Sequence, residues 1–265
     1  MKSRQKVVNF KKLNRQGYGR NKLLPLLVIA LVTAVGGYVI YNSHAQTIAK
    51  CTNPTFISSK PFGGHTFSKY YVTNDMWNIS GYTVKQTLYA CNYNNWYVVA
   101  TMNNDKKDGA VKTYPNVHED FSSVPISSFA SLSSNFAETS PHVGIYEDAY
   151  DMWINGLATR GSTEVMIWND NYNQVPSGSV QGTITISGHS YKVWKSGSYI
   201  AFVATANFTS GTINVLDFYY YIILKGWIAP TSVLNQIDYG AELVSTNNTP
   251  ATFSFTNFSI SSTIK

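Results

Sequence analysis

The 265-residue chain is 44% apolar but only 13% charged, about half the usual charged fraction; its 19 Tyr, 13 Phe and 6 Trp favour strands with half-buried aromatic faces over a helical fold. The net charge of +6 is unevenly placed. Residues 1–45 carry eight Lys/Arg and no acid, so the remainder has a net charge of −2, and the high pI is no argument for a nucleic-acid partner.

The basic arm reads as a cytoplasmic flank. It precedes "LLPLLVIALVTAVGGYVIY", Leu23 to Tyr41, which is long enough to span a bilayer and also fits a long secretory signal. In the following "NSHAQ", Ser43 and Ala45 occupy the −3 and −1 positions of a small-residue cleavage site. Cleavage after Ala45 is favoured over a retained anchor, because an anchored domain would have almost no stalk before Cys51. Either way the body is expected outside the cytoplasm, with residues 1–45 as a targeting or anchoring segment and 46–265 as one domain. Cys51 and Cys91 are the only cysteines, and two cysteines in an exported domain usually pair.

From residue 46 onward there is no linker, repeat or low-complexity block, and about 220 residues suit one β-sandwich or barrel. Short strands with turn signals follow one another: "KYYVTNDMW" (69–77), "WYVVATM" (96–102), "TEVMIW" (163–168), "GTITISG" (182–188), "YKVWKSG" (191–197), "YIAFVATA" (199–206) and "ATFSFTNFSISS" (251–262). Turns are marked by "KKDG" (106–109), "PSGS" (176–179), "SGHS" (187–190) and "TSG" (209–211). One stretch breaks the pattern. "NVLDFYYYIILKG" (214–226) has Asn214 as a candidate N-cap, Asp217 in its first turn, Lys225 in its last and Gly226 beyond, the punctuation of a helix. Sequons occur at Asn78, Asn207, Asn247 and Asn257.

No phosphate loop, dinucleotide fingerprint, zinc-binding His-Glu-x-x-His or Gly-x-Ser-x-Gly elbow is present, and the five histidines are scattered as surface or turn residues. What remains is carboxylates among aromatics. A strand alternates faces with period two, so in 163–168 Val165 and Ile167 share one face while Glu164, Met166 and Trp168 share the other. In "QIDYGAELVS" (236–245) Ile237, Tyr239, Ala241 and Leu243 share a face, with Asp238, Gly240 and Glu242 opposite. In "YEDAYDMW" (146–153) Glu147, Ala149, Asp151 and Trp153 align less cleanly. An acid on a polar strand face is usually just solvated. Here the acids sit beside Met, Trp and Gly in a chain short of acids. Two opposed carboxyls suit cleavage of a glycosidic bond, and aromatic rings stack on the apolar faces of sugars.

These motifs resemble glycoside hydrolase family 12. "EVMIW" (164–168) is similar to that family's nucleophile strand, "YGAEL" (239–243) to its acid/base strand, and "AYDMW" (149–153) to the strand with its auxiliary aspartate. "VKTYPN" (111–116) matches a family strand-and-turn signature, "NDMW" (74–77) its Asn-Asn-x-Trp segment and "PSG" (176–178) its Pro-x-Gly loop across the groove. The resemblance runs from about Cys51 to the C-terminus. It implies an all-β jelly-roll sandwich of two antiparallel sheets with a concave substrate cleft and a single helix. It also implies secreted, retaining endo-β-1,4-glucanase activity on cellulose, mixed-linkage β-glucan or xyloglucan.

Carried over by position, Glu164 is the nucleophile, Glu242 the acid/base, and Asp151 a hydrogen-bond partner of Glu164. Asn74, Asp75, Trp77, Trp153, Met166 and Trp168 contact substrate, and Cys51 and Cys91 fall where many members carry a disulfide. Asp75 departs from the family's second Asn. No metal or organic cofactor is implied. The expected partner is a β-glucan, with no nucleic acid, a membrane only through the N-terminal segment, and a monomeric state. The alternatives are a non-catalytic β-glucan-binding jelly roll and a membrane-tethered wall-remodelling protein.

Overall fold

The computed structural model describes residues 50–265; the targeting or anchoring segment and its cleavage site lie outside them. Fifteen strands and one helix follow in chain order. The first strands are β1 (Phe56–Ser58), β2 (Gly64–Phe67), β3 (Tyr70–Thr73), β4 (Val84–Asn92) and β5 (Asn95–Met102). Then come β6 (Asn116–Pro125), β7 (Phe129–Thr139), β8 (Ile145–Ile154), β9 (Thr163–Tyr172), β10 (Ser179–Ile186), β11 (His189–Ser196), β12 (Tyr199–Ala204) and β13 (Ser210–Asn214). After α1 (Val215–Leu224) the chain ends in β14 (Val233–Ser245) and β15 (Ala251–Ile264). They form a six-stranded sheet, β1-β4-β5-β15-β7-β13, and a nine-stranded sheet, β10-β11-β12-β9-β8-β14-β6-β3-β2. This is the expected jelly-roll sandwich with one departure from antiparallel pairing: β12 runs parallel to β9.

The alternation of the sequence decides which side chains meet between the sheets. In β5, Trp96, Val98, Ala100 and Met102 are buried and their neighbours are not. In β14, Ile237, Tyr239, Ala241 and Leu243 enter the core as their period predicts. Trp96 stacks on Phe255 at 4.1 Å between ring centroids, and Tyr239 packs against Tyr150, Phe136 and Phe255. Such aromatic pairs add to the hydrophobic gain of burying the rings.

The helix begins where Asn214 predicts and turns out at Gly226, whose φ of +68° only glycine adopts easily. Asn214 makes no side-chain capping hydrogen bond and Lys225 is the C-cap residue. The helix is held instead by burial of Val215, Leu216, Phe218, Tyr219 and Ile222, with Phe218 edge-on to Tyr191 and Phe202. Cys51 and Cys91 form the expected disulfide. It pins the start of the domain to β4 across 40 residues, a closure that stabilises by about 4 kcal/mol in the chain-entropy model.

The interior also holds acids. Glu138 from β7, Asp148 from β8 and Asp170 from β9 converge between the sheets, with one oxygen of each within 4.8 Å of the others. Asp170 accepts hydrogen bonds from Tyr146 and Asn207 and lies 2.9 Å from His142 Nε2. Glu138 and Asp148 have no such company beyond the nearby Ser140 hydroxyl. Burial, then the charges of Asp148 and Asp170, push Glu138 up to about 10. Burial likewise raises Asp148 well above the carboxylate range.

Candidate active site

Three adjacent strands of the larger sheet carry the expected catalytic carboxyls: β9 carries Glu164, β8 carries Asp151 and β14 carries Glu242. Glu164 lies opposite Trp153 on β8, whereas Glu242 lies opposite Glu147. Those two register partners are six residues apart, about 20 Å along a flat strand. The sheet is not flat. Bulges at Leu234/Gln236 and Leu243/Ser245 in β14, and at Asp148/Ala149 where β8 meets β9, bend the strands. Glu164, Asp151 and Glu242 all line one cleft of about 660 Å³. They are close enough for the charge of Glu242 to act on both Glu164 and Asp151.

The segment before β6 closes the floor. Ala241 N donates to Pro115 O at 3.2 Å, Leu243 N to Thr113 O at 2.9 Å, and Lys112 N to Leu243 O at 2.9 Å. This approach requires glycine at position 240, where a Cβ would come within 2.0 Å of Pro115 O. The "VKTYPN" signature thereby places Tyr114 under the acids, its hydroxyl donating to Ala149 O at 3.0 Å. The glycine two residues before Glu242 is thus part of how that acid is seated.

Burial dominates the electrostatics. It pushes Glu164 up to about 7, with the charge of Glu242 as the second cause. Burial also raises Glu242, opposed by a hydrogen bond from Glu147. Asp151 is raised well above its ordinary range by burial, then by the charges of Glu164, Asp238 and Glu242. The Trp153 side chain opposes this rise, and Glu164 is the strongest charge acting on Asp151. Desolvation of this kind is how an enzyme keeps one carboxyl protonated beside an ionised one.

The other expected contacts divide. Asp75, Trp77 and Trp153 line the cleft. Trp77 is 53% exposed on the rim, beside the exposed Phe62 and Leu157, which gives apolar surfaces where sugar rings can stack. Asp75 is pushed up to about 7 by burial and then by the charge of Asp238, with His118 opposing.

Asn74 does not face the cleft. It is fully buried, donating to Lys60 O at 3.0 Å and accepting from Gln86 Nε2 at 2.9 Å; it anchors the loop that presents Asp75 and Trp77. Met166 and Trp168 share the concave face with Glu164 but lie beneath its surface, 1% and 2% exposed. Ala201 packs with them, and Trp194, Tyr199 and Val203 cover them. Trp168 Nε1 donates to Met166 Sδ at 3.4 Å. They support the floor instead of lining the cleft, because β12 lies alongside β9.

One cleft residue escapes the sequence reading. His118, grouped there with surface histidines, faces Asp238 across the β6–β14 ladder. Its Nδ1 lies 3.2 Å from Asp238 Oδ1 and 2.9 Å from Asn116 Oδ1. Burial opposes a charge on this ring, but the Asp238 hydrogen bond and carboxylate outweigh it and raise the imidazole. Asp238 was visible as an acid on the face of Glu242; its partner 120 residues earlier was not.

A family model described as Glycosyl hydrolase family 12 matches residues 68–263. Endoglucanase S from Pectobacterium parmentieri is 24% identical over 249 residues, covering 80% of this chain and 88% of the relative. The inactive glycoside hydrolase XLP1 of Phytophthora nicotianae is 25% identical over 200 residues, covering 70% of this chain and 84% of the relative. Among solved structures, the xyloglucanase domain of NopAA from Sinorhizobium fredii, in complex with cellobiose, superposes with a TM-score of 0.68 at 25% identity. That match covers 79% of this chain and all of the other. The sandwich, the acid-lined cleft and a family match over most of the sequence lead to one conclusion: the chain belongs to glycosyl hydrolase family 12 and is a glycoside hydrolase.

Proposed function

We propose that the protein is a secreted, retaining endo-β-1,4-glucanase in which Glu164 is the nucleophile and Glu242 the acid/base. The observation that carries this reading is the entry of both carboxyls into one cleft from separate strands with Asp151 between them. Ionised Glu164 attacks the anomeric carbon. Protonated Glu242 gives its proton to the departing glycosidic oxygen, and a covalent glycosyl-enzyme forms. Glu242 then takes a proton from water as that water attacks, and the anomeric configuration is retained. The mechanism calls for carboxyls about 5–5.5 Å apart. Asp151, kept neutral by its surroundings, steadies the charge of Glu164.

Trp77, Phe62 and Leu157 offer exposed apolar surface on the rim for a polysaccharide chain. Cellulose, mixed-linkage β-glucan and xyloglucan are the candidate substrates, in keeping with relatives named as endoglucanase and xyloglucanase. For residues 1–45 we propose a signal cleaved after Ala45. Protein sequencing of exported material checks this, a start at Gln46 supporting it and an intact basic arm indicating a tether.

A second reading, a non-catalytic glycan-binding sandwich, is prompted by the relative named as inactive, and the presence of Glu164, Asp151 and Glu242 together argues against it. Release of reducing ends from carboxymethylcellulose, barley β-glucan and xyloglucan separates the two. Turnover that disappears in Glu164→Gln supports the enzyme; binding without turnover by the wild type supports the module.

A further inference from the structure

Glu147 is fully buried, and among the described residues neither of its oxygens meets an ordinary donor group. It stands on β8 directly opposite Glu242 on β14, which brings the two carboxyls within reach of each other, so that each acts on the other's proton affinity. Directly opposed side chains on neighbouring strands lie about 5 Å apart at Cβ. The charges that act on Glu147 are all negative: Glu242 from β14, Asp148 beside it on β8, and Glu164 from β9. Tyr199 of β12 also lies within reach of it. A hydrogen bond between two carboxyls needs a proton on one of them, because ionised carboxylates only accept. The surroundings place that proton on Glu147, whose ionised form is disfavoured by burial first and by Glu242 second. The same contact acts on Glu242 in the opposite sense, favouring its ionised form.

We propose that Glu147 is a positioning residue for Glu242: a neutral carboxylic acid whose O–H donates to one Glu242 oxygen and leaves the other to face the scissile bond. The inference rests on Glu242 being the acid/base. During bond cleavage the proton of Glu242 passes to the leaving oxygen. The new carboxylate keeps the Glu147 hydrogen bond and is stabilised by it. When Glu242 recovers a proton from water, Glu147 has neither gained nor lost its own. Glu147 therefore strengthens the acid without entering the proton transfer.

The test is the pH dependence of kcat/KM for Glu147→Met, which fills the space without a donor, and Glu147→Gln, which restores a neutral N–H donor. Losing the donor raises Glu242 further, so in Glu147→Met the alkaline limb moves up by about one pH unit. kcat on unactivated glucan falls about tenfold, and cleavage of a dinitrophenyl glycoside, whose leaving group needs no acid, is little changed. Glu147→Gln returns the limb close to its wild-type position. An infrared carbonyl band of a neutral carboxylic acid, present in wild type and lost in Glu147→Gln, supports the assignment without reference to turnover.

A downward shift of the limb in Glu147→Gln would mean an ionised neighbour had been removed, and would overturn the proposal. So would an unmoved limb in folded Glu147→Met. Glu242→Gln separates the two levels. If it keeps full activity and its alkaline limb, the acid/base assignment itself fails. If it loses both while Glu147→Met behaves as wild type, only the role of Glu147 fails.

Discussion

Glu147 and Asp148 are neighbours in β8, yet they point to opposite sides of one sheet and into two different collections of acids. Glu147 lies buried behind Glu242 and within reach of Glu164, two of the acids that line the cleft. Asp148 joins Glu138 and Asp170 between the sheets. Burial raises carboxyls on both sides. The difference is access. Asp151, Glu164 and Glu242 border open space lined by Trp77 and Trp153, so their raised proton affinity is available to a substrate. Glu138 and Asp148 are enclosed between the sheets, so theirs acts on folding. On the proposed assignment, desolvation serves catalysis on one face and stability on the other.

The largest effect expected from breaking this comparison is on the cleft side. Glu164→Gln or Glu242→Gln should lower kcat on β-glucan by about three orders of magnitude or more, with an unchanged circular dichroism spectrum. The corresponding interior change, Glu138→Gln, should leave kcat within about twofold, because it touches neither substrate nor the reacting carboxyls.

The interior acids should show themselves in stability. Glu138 is raised from an ordinary 4.5 to about 10 in the folded chain, and Asp148 is raised as well. The folded state therefore binds more protons than the unfolded one above pH 4. Stability is fully present below the unfolded-state value and is lost as pH rises toward the folded one. Melting followed by circular dichroism should show Tm falling by about 5 °C or more between pH 4 and pH 8. Glu138→Gln, which removes the titrating group, should flatten that slope. A Tm that rises over the same interval would mean these acids are ionised and compensated in the fold.

The smallest effect belongs to the rim. Trp77→Ala removes an exposed indole from the cleft without disturbing the acids, so KM on glucan should rise about tenfold with kcat changed less than about threefold. A matching loss in kcat would show that the indole contributes mainly in the transition state.

Much of this was legible in residue order, and the illegible parts share a cause. Period-two alternation separates Ile237, Tyr239, Ala241 and Leu243 from Asp238 and Glu242 because one face of β14 is buried in the sandwich. The helix punctuation around Asn214 and Gly226 is local and reads correctly, although burial and not a side-chain cap holds its start. What failed depends on which strand lies beside which. Met166 and Trp168 are covered because β12, about 30 residues later, pairs parallel with β9. His118 meets Asp238 only through the β6–β14 register, and Glu147 meets Glu242 only through β8–β14. Asn74 shows the same limit at short range. A polar residue in a sugar-binding motif can serve the loop that carries its neighbours, and only the positions of Lys60 and Gln86 reveal it.

Covalent trapping tests the double-displacement proposal most directly. A 2-deoxy-2-fluoro cello-oligosaccharide with an activated leaving group slows both chemical steps, and the second more, so a retaining enzyme accumulates its glycosyl-enzyme. Mass spectrometry of digested protein should find one sugar per chain, on the peptide that contains Glu164, and no label in Glu164→Gln. A label on another carboxyl, or unlabelled protein that still hydrolyses glucan with inversion at the anomeric carbon, would contradict the assignment.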